Sequence, residues 1–293
     1  MDTLLSLLRP KQWIKNTFVF LPLFFVGGLT SLGNLASTFL TFVAFCLTAS
    51  GVYIFNDLMD VEEDRIHPVK KERPIAAGRV SRRTAYLLMA GIWMAALLLC
   101  IFCFSFSLDL LLFAYVLLNI LYSVKLKRIP IIDVTVIAVG FVMRLFAGSM
   151  ASATPLTHWI IIMTFLLALF LGLAKRRDDV IIYESKDQMV RKSIDGYNLD
   201  LINNGMVLMA GVIIVAYIMY TVSPDTIAKF HSDKLYLTTL FVILGIMRYM
   251  QVIFVWQQGS DPTNVLFSNR FLQIVILAWI ASFAVILYVR GHG

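Results

Sequence analysis

Apolar runs of roughly 17–25 residues recur from near the N-terminus to the C-terminal end of the chain, the length needed to cross an apolar layer about 30 Å thick. About nine such runs are predicted, at 17–33, 35–55, 84–106, 108–124, 131–150, 157–174, 205–223, 235–256 and 270–289. Helices are expected for all of them, because lipid offers backbone N–H and C=O groups no partner and the alternation of barrel strands is missing from the runs. The expected fold is all-α: a polytopic membrane helix bundle forming a single transmembrane domain over 1–293. Polar chemistry then belongs to the long charged loops at 56–83 and 175–204, since the connections near 106–108 and 151–157 are short and nearly uncharged.

Composition strengthens this picture. Hydrophobic residues are 59% of the chain and charged residues 15%, against about 45–50% and 25% in a soluble globular protein. Arg9, Lys11 and Lys15 precede the first run and no small-residue cleavage pattern follows it, so that run is expected to be retained. The net charge of +7 is unevenly placed: Lys and Arg crowd 9–15, 65–83, 125–128 and 175–192, whereas Lys229, Lys234 and Arg290 fall on the opposite side. The positive-inside rule then puts the N-terminus in the cytoplasm and the C-terminus outside, as a multi-pass protein of the inner (plasma) membrane. Orientation accounts for the excess positive charge, and no nucleic-acid module is present, so no nucleic-acid partner is expected. Cys100 and Cys103 have C-x-x-C spacing but sit on an apolar run without a second ligand pair, and are read as packing residues. His67, His158, His231 and His292 are scattered, which argues against histidine acid–base chemistry.

Chemistry concentrates where the second run meets its loop, at Asn56-Asp57-Leu58-Met59-Asp60-Val61-Glu62-Glu63-Asp64. On a continuous helix Asp57, Asp60 and Asp64 lie within about 60° of one another over roughly 10 Å of rise. Carboxylates so placed repel unless a cation sits among them, and hard oxygen ligands suit Mg²⁺. A solvated acidic helix end is the alternative. Basic residues accompany this strip, among them Lys15, Lys70, Lys71, Arg73, Arg79, Lys125, Lys127, Lys175 and Arg176, a mixture that suits a metal–diphosphate ligand. Arg144 and Arg248 lie within runs, where an ionised side chain is costly. Arg144 is about 16 Å along the helix from Asp133, too deep to meet a phosphate at the inner face without a kink or a re-entrant cavity, so a structural role and a phosphate contact both stay open. Snorkelling or phosphate contact are the two readings for Arg248.

Asn56-Asp57-x-x-Asp60-x-x-x-Asp64, followed by Arg73-Pro74-Ile75-Ala76-Ala77-Gly78, resembles the first aspartate-rich motif and downstream loop of the UbiA superfamily of intramembrane prenyltransferases. Further segments are closer to one branch, the decaprenyl-phosphate phosphoribosyltransferases: Leu8-Arg9-Pro10-Lys11-Gln12-Trp13-Ile14-Lys15-Asn16, Tyr122-Ser123-x-Lys125-x-Lys127 with Asp133, Gly140-Phe141-x-x-Arg144 and Lys175-Arg176-x-x-Asp179. The second Asp-x-x-x-Asp motif of the aromatic prenyltransferases is missing after the sixth run, where Asp178, Asp179, Asp195 and Asp200 have other spacings. The resemblance implies Mg²⁺-dependent transfer of a 5-phosphoribosyl group from phosphoribosyl diphosphate to a polyprenyl phosphate. It implies Asn56, Asp60 and Asp64 as metal ligands, with Asp57 supporting the metal site or the ribose. Lys15, Arg73, Lys125, Lys175 and Arg176 would bind phosphates, and Tyr122 and Asp179 would complete the substrate site. Two rivals stay open: prenylation of a small aromatic acceptor, and a membrane carrier without chemistry. Oligomeric state is open as well, a homo-oligomer included.

Overall fold

The fold is taken from a computed structural model, which describes residues 3–25, 31–66, 70–186, 192–257 and 261–288. His67, Arg290 and His292 lie outside them. The described residues are helical, without strands, and divide into two compact units, 1–156 and 157–293.

The first unit opens with the short α1 (Thr3–Leu7), a 3-10 segment (Pro10–Phe20) and α2 (Leu21–Phe24). The long α3 (Leu32–Met59), the single turn-and-a-half α4 (Val61–Ile66), α5 (Arg82–Cys103), α6 (Phe106–Val124) and α7 (Ile132–Ser152) follow. The second unit contains α8 (His158–Lys186), α9 (Leu199–Val222), α10 (Pro224–Phe230), α11 (Thr239–Phe254), α12 (Pro262–Ser268) and α13 (Arg270–Tyr288).

Among the described residues seven helices are long and apolar enough to cross a membrane; the bent pair α12 and α13, at 89°, makes an eighth if counted as one span. The expected run at 17–33 accounts for the difference. Its described part is wound as a 3-10 helix and then α2, because Pro22 lacks the N–H that would continue an α-helical ladder and its ring crowds the preceding turn. The exposed faces of the spans are apolar, with Leu87, Phe102, Phe106 and Phe113 all more than 60% exposed. Such faces suit lipid, and the protein is a multi-pass membrane protein.

Two features of this unit position polar residues. At about 1.5 Å per residue α3 is roughly 42 Å long, so its polar end, carrying Asn56 and Asp57, outruns an apolar layer of about 30 Å. The second is the 3-10 winding. At three residues per turn, Trp13, Asn16 and Val19 fall on one face, and all three dock on neighbours. Trp13 Nε1 donates to Ser50 Oγ at 3.1 Å, and that hydroxyl donates to the Leu8 carbonyl at 2.8 Å. Asn16 bridges α3 and α7, and the Val19 carbonyl approaches Gly148 so closely that a Cβ there would collide with it.

In the second unit α8 packs along α9 around Phe170, Ala174, Ile202 and Met206, with Tyr249 and Val252 of α11 closing the core.

Candidate active site

Helix α3 ends at Met59, Asp60 occupies a non-helical break, and α4 resumes at Val61. The break is shallow, since Asp64 N still donates to the Asp60 carbonyl at 2.7 Å. It nevertheless sorts the three aspartates differently from a continuous helix. Asp57 and Asp64 converge on one guanidinium: Arg73 Nη1 lies 3.0 Å from Asp57 Oδ1 and 2.7 Å from Asp64 Oδ2. Asp60 pairs instead with Lys127 Nζ. Asp57, buried, also accepts from Arg9 Nη2 at 2.5 Å, and the Arg9 guanidinium stacks over Tyr53. Burial pushes the Asp64 carboxyl above its ordinary value, against the opposing pull of Arg73.

Arg73 is aimed by a tight loop. Ala77 N donates to the Arg73 carbonyl, Gly78 N to that of Ile75 and Val80 N to that of Pro74, at 2.8, 3.1 and 3.1 Å. Gly78 has φ +71°, which a side chain disfavours. Ile75 and Val80 are buried against Leu58 and Val61, so the loop is clamped to the polar end of α3 by an apolar cluster. Arg9 itself holds φ +51° at the start of the 3-10 segment.

Asn56 Oδ1, one helical turn before Asp60, is buried and accepts no hydrogen bond. A hard oxygen left so, next to carboxylates, is a fitting ligand for Mg²⁺. Among the described residues no three His, Cys, Asp or Glu side chains are grouped to hold a metal ion by themselves. These residues therefore fit an ion of the kind that keeps only a few protein ligands and completes its shell with substrate phosphates and water.

The other expected residues of this unit are placed as follows. Lys15 is half-buried on the 3-10 segment, Tyr122 is half-buried in the last turn of α6, and Lys125 is exposed at the C-cap of α6. Lys127, two residues on, is turned inward by a 3-10 turn at Leu126–Arg128 and is 7% exposed. Asp133 is fully buried and caps its own helix, accepting from Val134 N at 2.9 Å, beside Ile131 at φ +68°.

The second unit carries the cations of α8. Arg176 is 1% exposed and pairs with Asp179 at 2.5 Å; Lys175 Nζ lies 3.9 Å from Asp261. The neighbouring Arg177 is structural: Nε donates to Asn203 Oδ1 and Nη1 to the Ile253 carbonyl, both at 3.0 Å, tying α8 to α9 and to the last turn of α11. Arg248 lies 4.1 Å over the Trp256 ring and bonds Gln251 and Asn269, which satisfies it without a ligand.

Sequence reasoning carried Arg9 and Lys127 within the family-like segments without a site role and did not single out Asp261. The signals were faint: Arg9-Pro10 fixes where a helix begins, and Lys127 stands only two residues from the exposed Lys125. Nothing local marks Asp261 as the partner of Lys175.

Carboxylates paired with arginines and a lysine gather at the polar end of a long span, the place for polar chemistry in a membrane-embedded enzyme. The UbiA prenyltransferase family profile matches residues 18–277, and the chain belongs to that family. It is 32% identical over 295 residues to a decaprenyl-phosphate phosphoribosyltransferase of Mycolicibacterium smegmatis, across 97% of this chain and 92% of the relative. It is 28% identical to one of Corynebacterium glutamicum, across 98% and 87%. The fold is shared with a UbiA homolog from Archaeoglobus fulgidus solved with DMAPP and Mg²⁺, at TM-score 0.72 and 18% identity, over 98% of this chain and all (100%) of that one. A UbiA homolog from Aeropyrum pernix K1 gives 0.68 and 14%, over 92% and 96%. Family membership makes the protein an enzyme and sets the carrier reading aside.

Proposed function

We propose that the protein transfers a 5-phosphoribosyl group from phosphoribosyl diphosphate to a polyprenyl phosphate, releasing diphosphate. The likeness to decaprenyl-phosphate phosphoribosyltransferases over nearly the whole of both chains carries this reading. The charge pattern supports it: Arg9, Asp57, Arg73 and Asp64 form an alternating chain and Asp60 with Lys127 a separate pair, a mixture that suits a ligand with several phosphates and a divalent ion.

In this reaction a bond forms between an oxygen of the lipid phosphate and the anomeric carbon, and the bond from that carbon to the diphosphate oxygen breaks. The acceptor is already an anion, so no strong base is needed. The protein's task is to hold both substrates in line and to receive charge on the leaving diphosphate. Arg73, Lys15 and Lys125 are assigned to phosphates, as are Lys175 and Arg176 of the second unit. Asp57 keeps Arg9 and Arg73 oriented and faces the ribose hydroxyls, while Tyr122 and Asp179 belong to substrate binding. Asn56, Asp60 and Asp64 would hold Mg²⁺, which when bound neutralises the leaving diphosphate. The N-terminus and the loops at 56–83 and 175–204 are assigned to the cytoplasmic side of the inner membrane, where water-soluble phosphoribosyl diphosphate is available, and 1–293 to one transferase domain.

The decisive experiment incubates purified protein with labelled phosphoribosyl diphosphate, a polyprenyl phosphate and Mg²⁺, and follows label into the lipid phase. Transfer is expected. No transfer at any chain length, together with activity on a prenyl diphosphate and an aromatic acid, would replace this reading by aromatic prenylation.

A further inference from the structure

Arg144 lies near the middle of α7, and each nitrogen of its guanidinium donates within the protein. Nε donates to Asn16 Oδ1 at 2.8 Å, Nη1 to the Gly140 carbonyl at 2.7 Å and Nη2 to the Tyr115 hydroxyl at 2.9 Å. Its guanidinium carbon lies 5.0–5.5 Å from the ring centres of Phe45, Tyr115 and Phe141, and the residue is 5% exposed. With each guanidinium nitrogen donating within the protein and three rings around it, the cation is held by the scaffold. Retaining it at that depth is costly unless the contacts it makes matter. Two of the three bonds stay within the packed helices α6 and α7; the third reaches the 3-10 segment.

Asn16, 1% exposed, joins that segment to both walls, accepting from Arg144 and donating its Nδ2 to Cys46 Sγ at 3.2 Å. On a helix with three residues per turn, Trp13, Asn16 and Val19 face the scaffold, and Lys15 stands about a third of a turn away on the face it shares with Gln12 and Phe18. An α-helical winding of the same residues would spread Trp13, Asn16 and Val19 over about 120° and break the triple docking. The segment is also the one that delivers Arg9 to Asp57.

We infer that Arg144 is a positioning residue: by holding Asn16 it locks the 3-10 winding of Pro10–Phe20, and the winding fixes where Lys15 and Arg9 meet the phosphates of the donor substrate. The substrate clause rests on the phosphoribosyl reading above; the lock itself does not.

The test uses Asn16→Leu, which removes both bonds, and Asn16→Asp, which keeps an acceptor for Arg144 Nε. Asn16→Ala removes the same bonds with a smaller side chain where leucine is not accommodated. Two measurements are made on the full-length protein in detergent. Backbone hydrogen exchange across residues 10–20 is expected to quicken in Asn16→Leu and to stay near the unaltered rate in Asn16→Asp. In steady-state kinetics Asn16→Leu is expected to raise KM for phosphoribosyl diphosphate about tenfold or more, with KM for the polyprenyl phosphate unchanged and Asn16→Asp rescuing the loss. Unchanged exchange in Asn16→Leu overturns the lock, and so does an equal rise in both KM values, which is the mark of general loosening. Should the unaltered protein transfer no phosphoribosyl group, the functional reading falls, and the exchange data alone decide the lock.

Discussion

Arg73 touches two carboxylates with one nitrogen, Asp57 at 3.0 Å and Asp64 at 2.7 Å, and this sharing makes it hard to replace. A lysine keeps the charge but loses the planar fork that can serve two carboxylates and a phosphate together. Arg73→Lys is expected to lower kcat/KM for phosphoribosyl diphosphate about 10- to 100-fold, read in the label-transfer assay. Asp60→Ala is expected to abolish turnover while the protein still inserts and elutes as a folded species; full activity in that variant would remove Asp60 from the metal site. These aspartates were legible in the sequence because acidic residues continuing an apolar run are rare enough to need a reason. Their partners were not. Arg9 lies 48 residues from Asp57, and Lys127 lies 67 from Asp60, so each pairing depends on packing rather than on spacing. Arg144 shows the same limit. Its depth left a structural role and a phosphate contact open from sequence alone, and the identity of Asn16 as its partner, 128 residues away, required the fold.

At the scale of elements, hydrophobic run length located the long helices from α3 onward, because a span needs about 20 apolar residues whatever surrounds it. At 17–25, the described part of the first run, the run length holds but the winding is not α-helical throughout: Pro22 interrupts the ladder and the preceding residues wind as a 3-10 helix. Run length also missed the break at Asp60, which no proline or glycine announces and which separates Asp60 from the other two carboxylates. The loop from Arg73 to Val80 is the element most exposed to a single change. Gly78 at φ +71° closes it, and a β-branched residue there meets a left-handed backbone cost of about 1–2 kcal/mol or moves the loop. Gly78→Val is therefore expected to impair turnover through displacement of Arg73, with little change in the helical content measured by circular dichroism. A wild-type rate in that variant would show that the loop does not set the position of Arg73.

Across the whole molecule, the long spans and the apolar clusters hold the fold with help from Arg177, and the aspartates of α3 and α4 with their phosphate-assigned cations are assigned to the reaction. Chelation separates these roles: removing divalent metal is expected to stop turnover, to leave helical circular dichroism unchanged, and to be reversed by added Mg²⁺. A collapse of the helical signal on chelation would mean instead a structural metal, whose binding energy is folding energy. The shared guanidinium of Arg73 has a further consequence for how ligands arrive. A phosphate that draws Arg73 toward itself leaves Asp64 with less compensating charge, which raises the affinity of the proposed Asn56, Asp60 and Asp64 set for a metal ion; an ion bound there in turn frees Arg73 for the phosphate. The two affinities are thermodynamically reciprocal, each ligand tightening the other by the same factor. Titration calorimetry of Mg²⁺ with and without a non-reacting diphosphate is expected to show that mutual tightening in the unaltered protein and to lose most of it in Arg73→Lys, so that a single side chain would act as the hinge between anion and cation recognition.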